Sequence, residues 1–478
     1  MSVYKNLIDG AWVTGSSVVQ NVNPSDLSDV LGEYSQADTA QSLLAIDAAC
    51  KAEKVWANSG IQARFDALDA IGSEILSRKG ELGELLSREE GKTLVEGIGE
   101  VARAGQIFKF FAGETLRLSG EVLPSVRPNI EVQVSREPVG TVGIITPWNF
   151  PMAIPAWKIA PALAYGNTVV FKPASHVLGS AWALAEIISR AGLPEGVFNL
   201  VMGAGSVVGN ELLTNNKVKA VSFTGSVNTG ARVAAICSAR GAKYQTEMGG
   251  KNPLVVLNDA DLPTAVSCAI NGAYFSTGQR CTASSRLIVE AEIHDEFVDA
   301  LVEELKGLRV GNPLDASTNI GPVINHNQLN QDLEYIQIGR DEGATLQYGG
   351  ERLELETDGY FLAPALFTNT HNGMRINQEE IFGPVASVIK VADFDEAVEV
   401  ANDTVFGLCA GICTRSLNKA TQFKRLSQAG MVMVNLPTAG VDYHVPFGGT
   451  KESSYGVREQ GRYAAEFYTT VKTTYLQA

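Results

Sequence analysis

Cys281, in the stretch STGQRCTASSR, is the side chain of this sequence best suited by type and surroundings to bond covalently to a substrate. Small and polar residues flank it, with an arginine on either side. The attacking species is the thiolate, which a neighbouring guanidinium favours, so the sequence predicts that Arg280 lowers the Cys281 pKa. Cys237, Cys268, Cys409 and Cys413 are read as the buried, inert thiols that most cysteines become. Glu247, in QTEMGGKNP, follows an apparent strand and precedes a glycine pair in a stretch of low charge. Burial there would raise its pKa and suit it to take a proton from water. Asn149, in TPWNFP, stands between Trp148 and Phe150 with prolines on either side. Held rigidly, its amide can donate to a developing oxyanion; shaping a turn is the plainer use of an asparagine there.

Elements must bring these distant residues together, and the composition bounds what they are. The 478 residues, 45% hydrophobic and 19% charged, are enough for two or three cored domains. Lys and Arg number 38 against 53 Asp and Glu, a net charge of -15, which disfavours binding to nucleic acid or to an anionic membrane. No cysteines fall at CxxC spacing and only 5 histidines occur, so neither a disulfide framework nor a metal site is expected, and the location expected is a reducing cytoplasm. No apolar run reaches the roughly 18 residues of a membrane span.

Apolar residues at helical spacing predict amphipathic helices over 34–60 and 62–91, and a further helix over 94–111 that Gly113 ends. From Val139 the chain changes to short β-branched runs, VGTVGIITP, NTVVFKPAS, GVFNLVMGAG and VKAVSFTGS, separated by helix-length pieces. That alternation predicts a parallel sheet with loops, and a ligand, at the carboxyl ends of its strands. A second α/β region follows EMGGKNP without a low-complexity linker, so the site is expected in the crevice between the two. GAGSVVG at 203–209 nearly matches a dinucleotide fingerprint but has one residue too many before its last glycine. In SFTGS, Gly225 and Ser226 open a helix whose N-terminus can hold a phosphate oxygen. The ending EFYTTVKTTYLQA reads as a strand whose partner is VQVSREP of the same chain or a strand of another subunit.

Together these segments resemble the aldehyde dehydrogenase superfamily. The resemblance covers essentially the whole chain, with TPWNFP, VVFKPAS, SFTGS, EMGGKNP, GQRCTASSR, EEIFGPV and VPFGGTKESSYG in the family's order. It implies an α/β fold: a Rossmann-type dinucleotide-binding domain at 1–118 and 139–249, an α/β catalytic domain at 250–452, and a small β oligomerisation element at 119–138 and 459–478. It favours the cross-subunit reading of the last strand, in a homodimer or homotetramer. It further implies that Cys281 attacks an aldehyde, that Asn149 and the Cys281 N–H hold the oxyanion, and that hydride passes to a nicotinamide. Glu247 then activates the water that hydrolyses the thioester. The CoA-acylating branch lacks that base and is less similar. Lys172 matches a ribose contact, Trp148, Lys158, Gly225 and Ser226 match further cofactor positions, and Glu380 with Phe382 matches a clamp on the nicotinamide ribose. Ser175 stands where many NAD-preferring members carry a glutamate that would repel a 2′-phosphate, so NADP as well as NAD is expected.

Within the superfamily, ISRAGLPEGVFNLVMGAGSVVG and the C-terminal segment resemble the branch acting on α-ketoglutarate semialdehyde (2,5-dioxopentanoate). Such a small-molecule substrate needs a cation for its distal carboxylate. Arg280 is the first candidate, with a structural ion pair as its alternative, and Arg103 on the helix before FFAGE the second, for which a structural role is the plainer reading; Phe150, Trp157 and Phe447 would be apolar walls. Oxidation of succinate semialdehyde, a broad aldehyde range, and a non-catalytic dinucleotide-binding structural protein are the alternatives.

Overall fold

Residues 3–477 are described by a computed structural model; residues 1, 2 and 478, within the expected dinucleotide-binding and oligomerisation segments, lie outside the described residues. The β-branched runs form the parallel strands Thr141–Ile145, Thr168–Lys172, Phe198–Leu200 and Ala220–Thr224, joined by Lys243–Glu247, in an eight-stranded sheet. From Thr141–Ile145 the chain steps outward one way through 168–172 and 198–200, then returns to build 220–224 and 243–247 on the other side. Strand order thus reverses between Thr141–Ile145 and Ala220–Thr224, and a crevice opens beyond their carboxyl ends, at Thr146 and Gly225. These strands are buried on both faces, which is why they read as continuous apolar runs and not as alternation.

A seven-stranded sheet holds the second region, with Arg286–Glu290 at its centre between Pro253–Val256 and Val385–Val391, these three parallel, and Cys409–Cys413 parallel to Pro253–Val256 on its other side. A third sheet of three strands pairs Thr469–Gln477 with Ile130–Pro138, antiparallel from Thr469 opposite Pro138 to Gln477 opposite Ile130. The last strand therefore finds its ladder within the chain, against the cross-subunit expectation, because Ile130–Pro138 is long enough to pair with all of it. Val122, Val126, Val471 and Tyr475 in and near this sheet are exposed.

The expected helix over 34–60 begins only at Thr39, where Asp38 accepts from the Gln41 N–H at 2.9 Å; residues Val30–Gln36 instead form a strand against Ser17–Val22. The stretch 62–91 is two helices, Ile61–Ser77 and Lys79–Glu90, broken at Arg78, whose guanidinium bridges Glu74, Glu81 and Glu186. The next helix, Leu94–Thr115, runs past Gly113, because buried Phe111, Ala112, Glu114 and Thr115 carry its packing beyond the glycine. Its start is a capping box of Thr93 and Glu96. GAGSVVG contains a π-helical turn, Gly205–Gly209, leading into Asn210–Thr214, and not a fingerprint loop. No helix among the described residues is long and apolar enough to cross a membrane.

Candidate active site

Cys281 sits on a loop that local propensity would not choose. Ser276 and Thr277 have φ of 51° and 57°, and Gly278 follows at φ 65°. Left-handed backbone at non-glycine residues costs energy unless neighbours hold it, and here Glu96 does so. Its Oε1 accepts from Ser276 N, Ser276 Oγ and Arg280 Nη2, each at 2.9 Å, while Oε2 closes the capping box. On the far side Asn252 Nδ2 donates to the carbonyls of Cys281 at 2.7 Å and Ala283 at 2.9 Å. The thiol is thereby fixed at the meeting of two cavities. One, of about 500 Å3, opens at the switch point of the first sheet; the other, of about 400 Å3, is a tunnel, and Cys281 lines both.

The expectation that Arg280 lowers the thiol pKa is not met. Burial, then the carboxylates of Glu380 and Glu247, push it up to about 12, and the N–H groups of Cys281 and Thr282 pull only weakly the other way. The guanidinium of Arg280 is turned to Glu96, Ser276 and Asn271.

Asn149 is buried beside the first cavity, its Nδ2 donating to the Gln279 carbonyl at 3.0 Å, so its amide is tied to the turn that precedes the thiol. One hydrogen of that amide remains to meet an oxygen at Cys281. Lys92 Nζ donates to the Asn149 carbonyl, pairs with Glu100 at 2.9 Å and lies 3.7 Å over the Phe150 ring. Glu247 ends its strand fully buried. Burial and the nearby Glu459 hold its carboxyl well above the usual carboxylate range, against the opposing pull of Ser454, Lys158 and Arg458. The Ser454 hydroxyl donates to it, and a side chain at Gly448 would collide with both Glu247 and Arg458.

The switch-point cavity is lined by Trp148, Lys172, Ser175, Gly225, Ser226 and Glu380, with Phe382 edge-on to Trp148 at a centroid distance of 5.4 Å. Ser226 precedes the helix Val227–Ala239, which has no side-chain cap, and Ser226 and Thr229 line the cavity at that helix start. The Gly250 N–H donates to Glu380 Oε1 at 3.0 Å, and a side chain at Gly249 would fill the Glu380 position. Burial pushes Lys172 down to about 8 and Glu380 up to about 7. Ser175, exposed, stands at the mouth. Lys158 is the exception: it is fully buried away from this cavity, pairing with Glu459 and donating to Ser222 Oγ at 2.9 Å. No carboxylate is near it in sequence, so local spacing carried no sign of that pair.

The tunnel brings together Arg280, Arg103, Phe150, Trp157 and Phe447, the last two with ring centroids 5.3 Å apart. The two arginines differ from expectation. Arg280 is spent on Glu96, whereas the Arg103 guanidinium has no hydrogen-bond partner among the described residues and only Asp442 and Glu100 as nearby charges. Burial lowers the Arg103 pKa. Sequence reasoning missed Lys92, Glu96, Asn252 and Gln460 here. Asn252 lies inside EMGGKNP and Gln460 just beyond VPFGGTKESSYG, so both were within or beside motifs already singled out.

A thiol shared by two cavities, beside a tethered amide and a buried carboxyl, can bond to a substrate carbonyl from one side while a cofactor reaches it from the other. Residues 12–474 match the model of the aldehyde dehydrogenase family. The chain is similar to an alpha-ketoglutaric semialdehyde dehydrogenase of Bacillus subtilis (strain 168), 44% identical over 100% of this chain and 98% of that protein. An alpha-ketoglutarate semialdehyde dehydrogenase of Haloferax volcanii is also 44% identical, over 98% of each. Among solved structures it resembles a betaine aldehyde dehydrogenase of Staphylococcus aureus in complex with NAD+, with a TM-score of 0.97 and 34% identity, covering 99% of this chain and 95% of that one.

Proposed function

The chain belongs to the aldehyde dehydrogenase family, and we propose that it oxidises α-ketoglutarate semialdehyde to α-ketoglutarate with NAD+ or NADP+. The observation that carries this reading is the position of Cys281 at the junction of the two cavities, one of them holding the unpaired Arg103. The names of the relatives at 44% identity support the choice of substrate.

In this reading the aldehyde enters the tunnel with its carboxylate on Arg103, and Trp157 and Phe447 exclude water along its carbon chain. The Cys281 thiol gives up its proton to water, and the thiolate sulfur bonds to the aldehyde carbon as the carbonyl π electrons pass to the oxygen. The oxygen, now an oxyanion, takes hydrogen bonds from Asn149 Nδ2 and the Cys281 N–H, and gives a thiohemiacetal. The dinucleotide, when bound in the switch-point crevice, supplies the hydride acceptor. Trp148, Lys172, Ser175, Gly225, Ser226, Glu380 and Phe382 fit such a group: a helix N-terminus for phosphate, Lys172 and Glu380 for ribose hydroxyls, and aromatic walls. Lys158 does not join that set. The resulting thioester on Cys281 is cleaved by a water whose proton passes to Glu247, which releases the acid and restores the thiol.

Segments 1–118 with 139–249, 250–452, and 119–138 with 459–478 are the three units we assign to cofactor, catalysis and assembly. The exposed apolar residues of the three-stranded sheet suit a contact between copies in a homodimer or homotetramer.

A panel of semialdehydes and uncharged aldehydes with both cofactors tests the reading, with Cys281→Ala alongside. The expected result is the highest kcat/KM for 2,5-dioxopentanoate and no turnover by the variant while cofactor still binds. A preference for uncharged aldehydes, or substantial turnover without Cys281, overturns it.

A further inference from the structure

Gln460 is fully buried, lines the tunnel, and neither its Nε2 nor its Oε1 has a hydrogen-bond partner among the described residues. Buried amides are nearly always satisfied, and a pair of unmet groups on one side chain costs stability. Its backbone is costly too. At φ 58° and ψ 173° it lies at the border of a region almost confined to glycine.

The surroundings impose this conformation. The preceding residue, Glu459, exchanges backbone hydrogen bonds with Phe447 at 2.7 and 2.9 Å. The Glu459 side chain is the centre of a buried cluster, accepting from Lys158, Gln245 and Ser222. Gly461 follows at φ 53°, where a side chain would meet the His444 carbonyl. Anchored on both sides, Gln460 is held in the tunnel wall beside Phe447. Trp157, tilted against Phe447, likewise has a buried Nε1 without a partner among the described residues. The tunnel thus carries polar groups without a partner among the described residues, in addition to the Arg103 cation.

We infer that Gln460 is a specificity-determining residue whose side-chain amide donates to the 2-oxo oxygen of an oxo-acid aldehyde, while Arg103 takes the adjoining carboxylate. The inference rests on the substrate reading above and deepens it. A carboxylate alone needs only the cation. A keto group beside it is an acceptor and needs a neutral donor, which an amide N–H provides and an apolar wall does not. A site that leaves such a donor unmet also disfavours substrates lacking the acceptor, because the amide then stays buried and unpaired.

The test compares kcat/KM of the wild-type protein and Gln460→Leu on 2,5-dioxopentanoate and 5-oxopentanoate, which are equal in length and charge and differ only in the 2-oxo group. The wild type is expected to prefer the 2-oxo acid, and Gln460→Leu to lower that ratio about tenfold, the usual effect of one neutral hydrogen bond. A wild type that prefers the 2-oxo acid and a folded variant that keeps the preference intact overturn the inference alone. A wild type that treats the two acids alike overturns the substrate reading and the inference with it. Should Gln460→Leu fail to fold by its melting temperature, Gln460→Asn withdraws the amide by one methylene. A fall in its ratio supports the inference and an unchanged ratio overturns it.

Discussion

Arg280 donates to the Glu96 carboxylate at 2.9 Å, so the cation next to Cys281 is committed before any substrate enters. Glu96 belongs to the helix that also carries Arg103, one residue satisfying the loop of the thiol and the other left free in the tunnel. The pair divides the work of two arginines that look interchangeable in sequence.

Exchanging each for alanine separates them. Arg103→Ala is expected to lower kcat/KM for 2,5-dioxopentanoate by about one to two orders of magnitude relative to an uncharged aldehyde of similar length, the worth of a charge-assisted hydrogen bond at roughly 1.5–3 kcal/mol. Arg280→Ala frees Glu96 and loosens the strained turn at Ser276 and Thr277, so charged and uncharged aldehydes should suffer alike and the melting temperature should fall. Selective loss of the carboxylate substrate in Arg280→Ala would reassign the roles.

The raised pKa values of Glu247 and Cys281 set the direction of the pH profile. Burial holds the Glu247 carboxyl well above the usual carboxylate range and pushes the Cys281 thiol up to about 12. Each works only after losing its proton, so kcat/KM should climb as pH rises from neutrality. Replacing Glu247 by Gln removes the base for the second step. Rapid mixing should then show a burst of reduced cofactor in the first turnover, followed by slow hydrolysis. A wild-type rate that declines between neutral and mildly alkaline pH, or a burst-free Glu247→Gln, contradicts the assignment.

How much of this was legible depended on whether the partner is near in sequence. Cys281, Glu247 and Asn149 announce themselves through their neighbours, and the parallel strands through their apolar runs. The partner of Arg280 is 184 residues away and that of Lys158 is 301 away, so nothing in STGQRCTASSR or around Lys158 signals either pair. The cofactor crevice could be anticipated because strand ends and glycines mark it locally. The misplaced helix start at 34–60 has a local cause: Asp38 was an available cap, and the β-branched and aromatic residues before it belong to a strand.

Ser175 stands at the exposed mouth of the crevice with Lys172 buried behind it. Ser175→Glu places a carboxylate where it accepts from a ribose 2′-hydroxyl and repels a 2′-phosphate. The ratio of kcat/KM for NAD+ over NADP+ should rise in the variant. An unmoved ratio would mean that the adenosine ribose lies elsewhere.

Lys158 gives the last prediction, because its fully buried pair with Glu459 sits behind both Glu247 and Gln460. Lys158→Met would leave the Glu459 carboxylate without its counter-charge, at a cost of about 3–5 kcal/mol if the charge stays buried. The loss should appear as a lowered melting temperature, whereas dinucleotide Kd should hold, since Lys158 is not on the crevice. A further consequence fixes the sign of a kinetic effect. The Lys158 cation is among the influences that draw the Glu247 pKa down. With Glu459 still ionised, Glu247 without that cation keeps its proton to still higher pH, and the rising limb of the rate profile should move in the alkaline direction. A variant with weakened cofactor binding, unchanged melting and an unshifted profile would return Lys158 to the cofactor site that the sequence first suggested.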